Sequence, residues 1–357
     1  MYKVLTTKDK KEWNGLLEKT GSPDIYLSPT YLNIYKESYS EEINEAFCGE
    51  PILFFSGDDE DFAILTTIKR KVNDLQFLED SPEYFDLISQ YNYSGPIIKT
   101  TNKSKEQVIN NFQKDFKEFC NKNNIVSEFI RFHPILNNHK DFKEHMQIDK
   151  RNPTVYIDLT KDEQTMLTEM NKKTRNLMRK AEKNGVTIEQ STDIKKFTGL
   201  YLNSMKQANA SKKYLFPLKF FKNTEKNLKE NLTLFTANYK GKIIAASLFM
   251  HKYDNIHYHF SGTDQKYRNL APNQLLLWKV ALWAKEKGYK KFHLGGGVNP
   301  NQKKDPLFHF KAGFSVDRSR FHTANVIHDN KAYKRLSILR DASKGHKTTD
   351  FFPYYRG

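Results

Sequence analysis

The segment Asp305-Pro306-Leu307-Phe308-His309-Phe310-Lys311-Ala312-Gly313-Phe314 sets one lysine in a run of aromatic and small apolar residues that reads as a buried strand. An ammonium group in such a run must turn out to solvent or meet negative charge. Upstream, Gly295-Gly296-Gly297 ends a strand directly, and three glycines let a chain turn sharply or let a ligand lie against bare backbone. Tyr267-Arg268-Asn269-Leu270-Ala271-Pro272-Asn273-Gln274 joins a strand end to a helix N-terminus, where free N–H groups and the helix dipole favour phosphate or carboxylate. An ordinary proline-initiated cap gives the same pattern.

His257 and His259 share one face of a strand, and His251, His293 and His309 are the histidines a fold could bring near them. No third ligand stands at a standard spacing, so no metal site is expected. Cys48 and Cys120 show no pairing pattern and read as core residues. The sequence has no Gly-x-Ser-x-Gly elbow, His-Glu-x-x-His pair or Walker loop, which argues against hydrolase, metalloprotease and kinase chemistry.

The elements that must position these groups are legible locally. Thr160 and Glu163 form a capping-box pattern that opens a helix from about Lys161 to Asn184, closed by Gly185. Met166, Met170, Thr174, Leu177, Met178 and Ala181 share one arc of it; Lys172, Arg175, Arg179 and Lys183 share the other. That basic ridge is either a solvated face or a surface for phosphate-rich substrate, RNA or anionic lipid headgroups. Helices near Asp193 to Gln207 and Pro217 to Glu230 lead to an antiparallel meander, Leu232 to Tyr239, Lys242 to His251 and Ile256 to Ser261, turning at Lys240-Gly241 and Asp254-Asn255. A helix from Pro272 to Lys287, apolar around most of its circumference, precedes a strand at Tyr289 to Leu294 that must run parallel to a neighbour. The first half repeats this order: strands near Ile52 to Phe55 and Phe62 to Val72, a helix from Ser104 to Asn121, and a strand at Val126 to Phe132. Tyr91 to Gly95 and Tyr258 to Gly262 echo one another, which suggests a duplication with a boundary near Lys150.

The chain has 357 residues, 38% hydrophobic and 28% charged, a balance that fits two folded domains and excludes a disordered chain. Uncharged apolar stretches such as Ile243 to Met250 are too short to span a bilayer. Met1 to Trp13 carries lysines without an apolar stretch behind them, so a cytoplasmic location is expected. The net charge of +16 favours an anionic partner: nucleotide phosphates, RNA or an acidic membrane face. A lysine-rich genome produces such a charge by composition alone.

Several pieces, in order, resemble the FemAB-like family, which includes the peptidoglycan interpeptide-bridge aminoacyl and peptidyl transferases. They are Ile25 to Leu32, Tyr93-Ser94-Gly95-Pro96, Glu128 to Pro134, Lys172 to Asn176, Ser261 to Asp264 with Arg268 and Pro272-Asn273, the triple glycine, and Phe310 to Phe314. The resemblance implies an α/β fold of two tandem GNAT-like domains, each a mixed sheet flanked by helices: residues 1–150 for acceptor binding, 151–330 for the transferase site, and 331–357 as a tail. It implies amide formation on an amine of a cell-envelope precursor, in peptidoglycan or surface polysaccharide, without a covalent enzyme intermediate. The implied partners are a nucleotide- or lipid-linked precursor and tRNA, with peripheral contact at the anionic inner membrane face; DNA is not among them. No tightly bound cofactor is expected; the donor is aminoacyl-tRNA or acyl-CoA.

By the same resemblance Lys311 is the cationic stabiliser near the donor carbonyl and Phe310 shapes its surroundings. Tyr258 and His259 are candidates for proton transfer and Tyr214 for acceptor contact. Arg131 and His133, at the corresponding strand end of the first domain, are candidates for holding acceptor phosphate or carboxylate. Arg268, Asn273, Gly295, Gly296, Gly297, Lys172 and Arg175 complete the expected binding set. In the GNAT loop that holds the coenzyme A pyrophosphate, Ala271 would replace the first glycine and Pro272 removes an N–H donor. Two alternatives stay open: an acyl-CoA-dependent N-acetyltransferase acting on an amino sugar nucleotide, and a non-catalytic basic RNA- or membrane-binding module.

Overall fold

A computed structural model describes residues 2–21, 23–37, 49–73, 75, 82–299, 301–346 and 351–357. The chain divides into two compact units, Met1–Arg151 with Phe321–Gly357, and Asn152–Arg320. Cys48 lies outside the described residues; Cys120 is buried, as expected.

The first unit runs β1 (Tyr2–Thr6), α1 (Lys10–Lys19), α2 (Pro29–Glu37), β2 (Glu50–Gly57), β3 (Phe62–Lys71), β4 (Phe85–Ile88), β5 (Ile97–Lys99), α3 (Lys105–Lys122) and β6 (Ile125–Arg131). The chain continues with β7 (Asp149–Asp158), α4 (Glu163–Glu169), α5 (Lys172–Lys183), β8 (Thr187–Ser191), α6 (Ile194–Gln207), α7 (Leu218–Leu228), β9 (Leu232–Tyr239), β10 (Lys242–Lys252), β11 (Asn255–Thr263), α8 (Pro272–Glu286), β12 (Lys291–Gly296), α9 (Pro306–Ala312), β13 (Arg318–Ile327) and α10 (Asn330–Lys344).

In the first unit β2, β3 and β4 form an antiparallel meander, α3 crosses over, and β6 returns parallel to β4. In the second, β9, β10 and β11 form the meander, α8 crosses over, and β12 returns parallel to β11. Both halves therefore repeat one topology, a mixed sheet in which a helical crossover makes a parallel strand pair. The repeat lies in the element order and not in the short tyrosine echo: Tyr91 to Gly95 follows the end of β4, whereas Tyr258 to Gly262 lies inside β11.

Burial follows the apolar patterning. Around α8, Leu275, Leu276, Leu277, Trp278, Val280, Ala281 and Ala284 are all buried, against Phe235, Phe249, Ile256, Phe292 and Leu294 of the sheet and Met166, Met170 and Met178 of α4 and α5. The helix expected from Lys161 to Asn184 is two helices. Asp162, not Thr160, is the first cap, accepting from Thr165 N–H, and the Asn171 side chain accepts from Thr174 N–H at 2.7 Å to start α5. A second cap inside the periodic run, Asn171, outweighs its continuity, because the side chain offers the backbone a competing partner.

The described parts of the segment set apart as a tail in the sequence, 331–346 and 351–357, pack into the first unit. Leu336 and Arg340 of α10 are buried, and Tyr355 is fully so, with its hydroxyl 2.8 Å from Ser127 Oγ. Beside it the fully buried Asp86 carboxylate accepts from Arg70 Nε at 2.7 Å, from Arg356 Nε and from Tyr355 Oη at 3.3 Å. Removing that carboxylate strands buried guanidinium groups, so Asp86→Ala should cost about 3–5 kcal/mol. Urea denaturation followed by circular dichroism measures it, and an unchanged midpoint would show that the cluster adds nothing to stability.

Candidate active site

Asp305 to Phe314 is not the strand its apolar pattern suggests but the helix α9. Asp305 is its N-cap, accepting from Phe308 N–H at 3.0 Å, and Pro306 occupies the first turn, where a missing N–H costs nothing. At the other end Asn171 N–H donates to Gly313 O at 3.0 Å, and a Cβ on Gly313 would lie 2.3 Å from Thr174 Oγ1, so the start of α5 seats tightly on the end of α9.

Within α9 the charged residue points inward. Lys311 is 9% exposed, while Phe308 and Phe310 are only half-buried. Its Nζ donates to Gly296 O at 2.7 Å and lies 5.8 Å from the centre of the Tyr258 ring. Burial pulls the amine down to about 8, against the opposing charge of Asp305.

The glycine run explains how the amine reaches the backbone. Gly295 adopts φ +80°, and a Cβ there would lie 3.2 Å from Lys311 Nζ; a Cβ on Gly297 would lie 2.0 Å from Asp305 Oδ2. A cation and a carboxylate both close onto this strand end because side chains are missing from it.

Tyr258 stacks on Phe249 at 5.8 Å, and burial raises its phenol despite hydrogen bonds with Ser261 and Ser247. It therefore stays protonated at neutral pH. Burial pulls the His259 imidazole down to about 3, with His257 adding to the effect, so it is neutral there. His257 Nδ1 lies 3.4 Å from His293 Nδ1 across the parallel pair. His251 is engaged elsewhere, with Thr233 at 2.8 Å and Tyr289 at 2.7 Å, and His309 Nε2 lies 3.1 Å from Lys303 O on the surface.

Lys311, Tyr258 and the three glycines thus converge, with Phe310 beside them on α9 and its ring against Phe314 at 5.4 Å. The other expected binding residues are placed differently. Arg175 Nη1 donates to the carbonyls of Leu167, Thr168 and Met170, closing the end of α4 instead of presenting its charge outward. Lys172 is exposed at the start of α5. Arg268 is exposed before α8, and Asn273 Nδ2 donates to Thr263 Oγ1 at 2.8 Å. Tyr214 is 37% exposed, and its carbonyl accepts from Tyr201 Oη.

In the first unit Arg131 is the last residue of β6, with Nη1 donating to Asn92 O at 3.1 Å. His133 is fully buried; its Nδ1 accepts from Ile135 and Leu136 N–H at 3.2 and 3.3 Å, and Nε2 lies 3.4 Å from the buried Asp24 carboxylate. That ring already faces a carboxylate of its own chain, so the anion-holding role expected for it has no support in the geometry.

The residue that sequence reasoning passed over is Asp305. An Asp-Pro pair immediately before an apolar run is a helix-start signal, and it was outweighed by the aromatic content that suggested a strand.

Residues 168–311 match the family model for the acetyltransferase (GNAT) domain. Among solved structures, FemX aligns over 94% of this chain and 99% of its own at 13% identity, with a TM-score of 0.67. A protein of unknown function from Bacteroides thetaiotaomicron aligns over 91% and 99% at 13% identity and 0.56. The C-terminal domain of a putative lysylphosphatidylglycerol synthetase from Agrobacterium fabrum aligns over 96% and 100% at 12% identity and 0.52. No curated protein sequence matches the chain. With an acyltransferase domain of the GNAT type in its second half and the same meander-and-crossover topology in its first, the chain shares the fold of FemX.

Proposed function

We propose that the protein transfers an acyl or aminoacyl group to an amine on a nucleotide- or lipid-linked cell-envelope precursor, forming an amide without a covalent enzyme intermediate. The observation that carries this reading is the inward-pointing Lys311 amine at a strand end opened by glycines. In the reaction the acceptor nitrogen bonds to the donor carbonyl carbon and the bond to the departing oxygen or sulfur breaks. One proton leaves the nitrogen and one reaches the leaving group. Negative charge collects on the carbonyl oxygen on the way, and a desolvated ammonium beside it stabilises that state more than it would in water. Lys311 is assigned this role, Tyr258 the role of a phenol donor, and His259 that of a neutral imidazole near the acceptor.

The start of α8 supports an aminoacyl-tRNA donor over acyl-CoA. Ala271 sits at φ +56° with its N–H donating to Arg268 O at 3.1 Å, and Pro272 has no N–H, so two backbone donors of a pyrophosphate cradle are unavailable. The exposed Lys172, Lys173, Arg179 and Lys183 of α5 suit a polyanionic donor. Among the described residues no helix is long and apolar enough to cross a membrane. Thermal stabilisation by acetyl-CoA, absent with aminoacyl-tRNA, would replace the donor in this reading.

Lys311→Met should lower kcat/KM by about 10²–10³-fold with circular dichroism and melting temperature retained. Undiminished turnover in the purified variant would remove Lys311 from the mechanism. The lowered lysine pKa also fixes the sign of the pH dependence: the ammonium is present below about 8 and lost above it. The pH–rate profile should therefore carry an alkaline limb near about 8 that Lys311→Arg moves out of range, since arginine stays charged. A limb that persists unmoved in that variant would assign it to another group.

A further inference from the structure

We propose that Asp305 is a positioning residue for this transfer, its buried carboxylate joining the loop that leaves β12 to the first turn of α9 and so holding the Lys311 amine, as a cation, against the Gly296 carbonyl. The inference rests on the role given to Lys311 above, and the test separates the two.

The carboxylate is fully buried and fully engaged. Oδ2 accepts from Asn299 N–H at 2.6 Å, Oδ1 accepts from Phe308 N–H at 3.0 Å, and the N–H groups of Val298 and Leu307 also serve it. One side chain thereby satisfies donors on both segments that flank the site, the exit from the glycine run and the start of the helix carrying Lys311. A Cβ at 297 would lie on top of Oδ2, so the last glycine of the run is the space that this carboxylate occupies.

An N-cap alone requires neither the burial nor the second set of donors. The donors offset the burial, so that the carboxylate keeps its charge inside the protein where Lys311 titrates. Burial by itself would raise the Asp305 carboxyl, and the four N–H groups outweigh it and hold the carboxyl below its ordinary value. Around the Lys311 amine, β12 offers the backbone of Gly295 and Gly296 and β11 offers Tyr258, a phenol kept neutral by burial. From α5, the uncharged Asn171 and Thr174 meet the end of α9. Asp305 is the group whose charge opposes the desolvation of Lys311.

The test uses the full chain labelled with 13C at the lysine ε-carbons, the Lys311 resonance being assigned by its loss in Lys311→Arg. In the unsubstituted protein it should titrate near about 8. Asp305→Asn removes the charge at constant shape, and Asp305→Ser removes it while keeping a cap acceptor for Phe308 N–H. In either folded variant the midpoint should fall by about one pH unit, the alkaline limb of turnover moving down with it. A midpoint that stays put in a variant with native circular dichroism overturns the proposal. A midpoint that falls while turnover is unaffected upholds the hold of Asp305 on the amine and overturns the catalytic role of Lys311 instead. Should neither variant fold, Gly297→Ala keeps the charge but pushes the carboxylate off its donors; an unmoved Lys311 resonance and an unchanged kcat there would overturn the proposal equally.

Discussion

Burial of one ammonium group against one backbone carbonyl is the constraint around which the second unit is arranged. A lysine amine held at about 8 instead of its ordinary 10.5 is less comfortable as a cation than in water by about 3 kcal/mol. A fold keeps such a group only if the surroundings over-determine its place. Here they do so from four sides: the Gly296 carbonyl accepts a hydrogen bond from the amine, the Tyr258 ring lies under it, the Asp305 charge opposes its desolvation, and the Asn171–Gly313 contact fixes the far end of the helix that carries it. The glycines belong to the same constraint, since a side chain at 297 would occupy the place of the carboxylate and one at 295 would crowd the amine and strain a backbone at φ +80°.

The two units show what this arrangement requires by contrast. Both bring a parallel return strand out of a helical crossover, β6 beside β4 and β12 beside β11. At the end of β12 stand three glycines. At the end of β6 stand Arg131, Phe132, His133 and Pro134, with Phe132 and His133 wholly buried and the imidazole turned onto Asp24. The same place in the topology is filled with side chains in one unit and stripped of them in the other. In the reading proposed above, open backbone is what lets a donor carbonyl and a cation meet, and the strand end that offers it is the one in the second unit.

The parts of the structure legible in the sequence were those fixed by local rules. The meander turn at Lys240-Gly241, the proline start of α8, the helix opening at Ser104 and the parallel return of β12 each follow from a few neighbouring residues. The errors came where two local signals competed. Asn171 breaks a helix that periodicity would have continued, and Asp305-Pro306 starts one where aromatic content suggested a strand. Partnerships across long sequence separations were not legible at all: nothing near Asp86 announces Arg356 or Tyr355, and nothing near Arg175 shows that its guanidinium closes α4. Lys311 was found because its residue type contradicts its surroundings, which is visible without knowing the fold. Asp305 was passed over because an aspartate before a proline fits an ordinary helix start.

That difference bears on how charge is used in this chain. The net +16 suggested an anionic partner, and the surface lysines of α5 remain consistent with one, yet Arg131 and Arg175, both expected in binding, donate to carbonyls of their own chain, and other arginines are spent internally. Arg175 neutralises a helix C-terminus, where three carbonyls lack partners of their own, and Arg70 and Arg356 meet Asp86 in the first unit's interior. Lys311 differs from Arg70 and Arg356 in lacking a salt-bridged carboxylate at hydrogen-bond distance: its partner is a neutral carbonyl, and the carboxylate whose charge acts on it, Asp305, is engaged by backbone donors. A guanidinium fully matched to a carboxylate has little field left for a substrate. An ammonium matched only to a carbonyl retains most of its own, and a developing oxyanion is the kind of group that completes it.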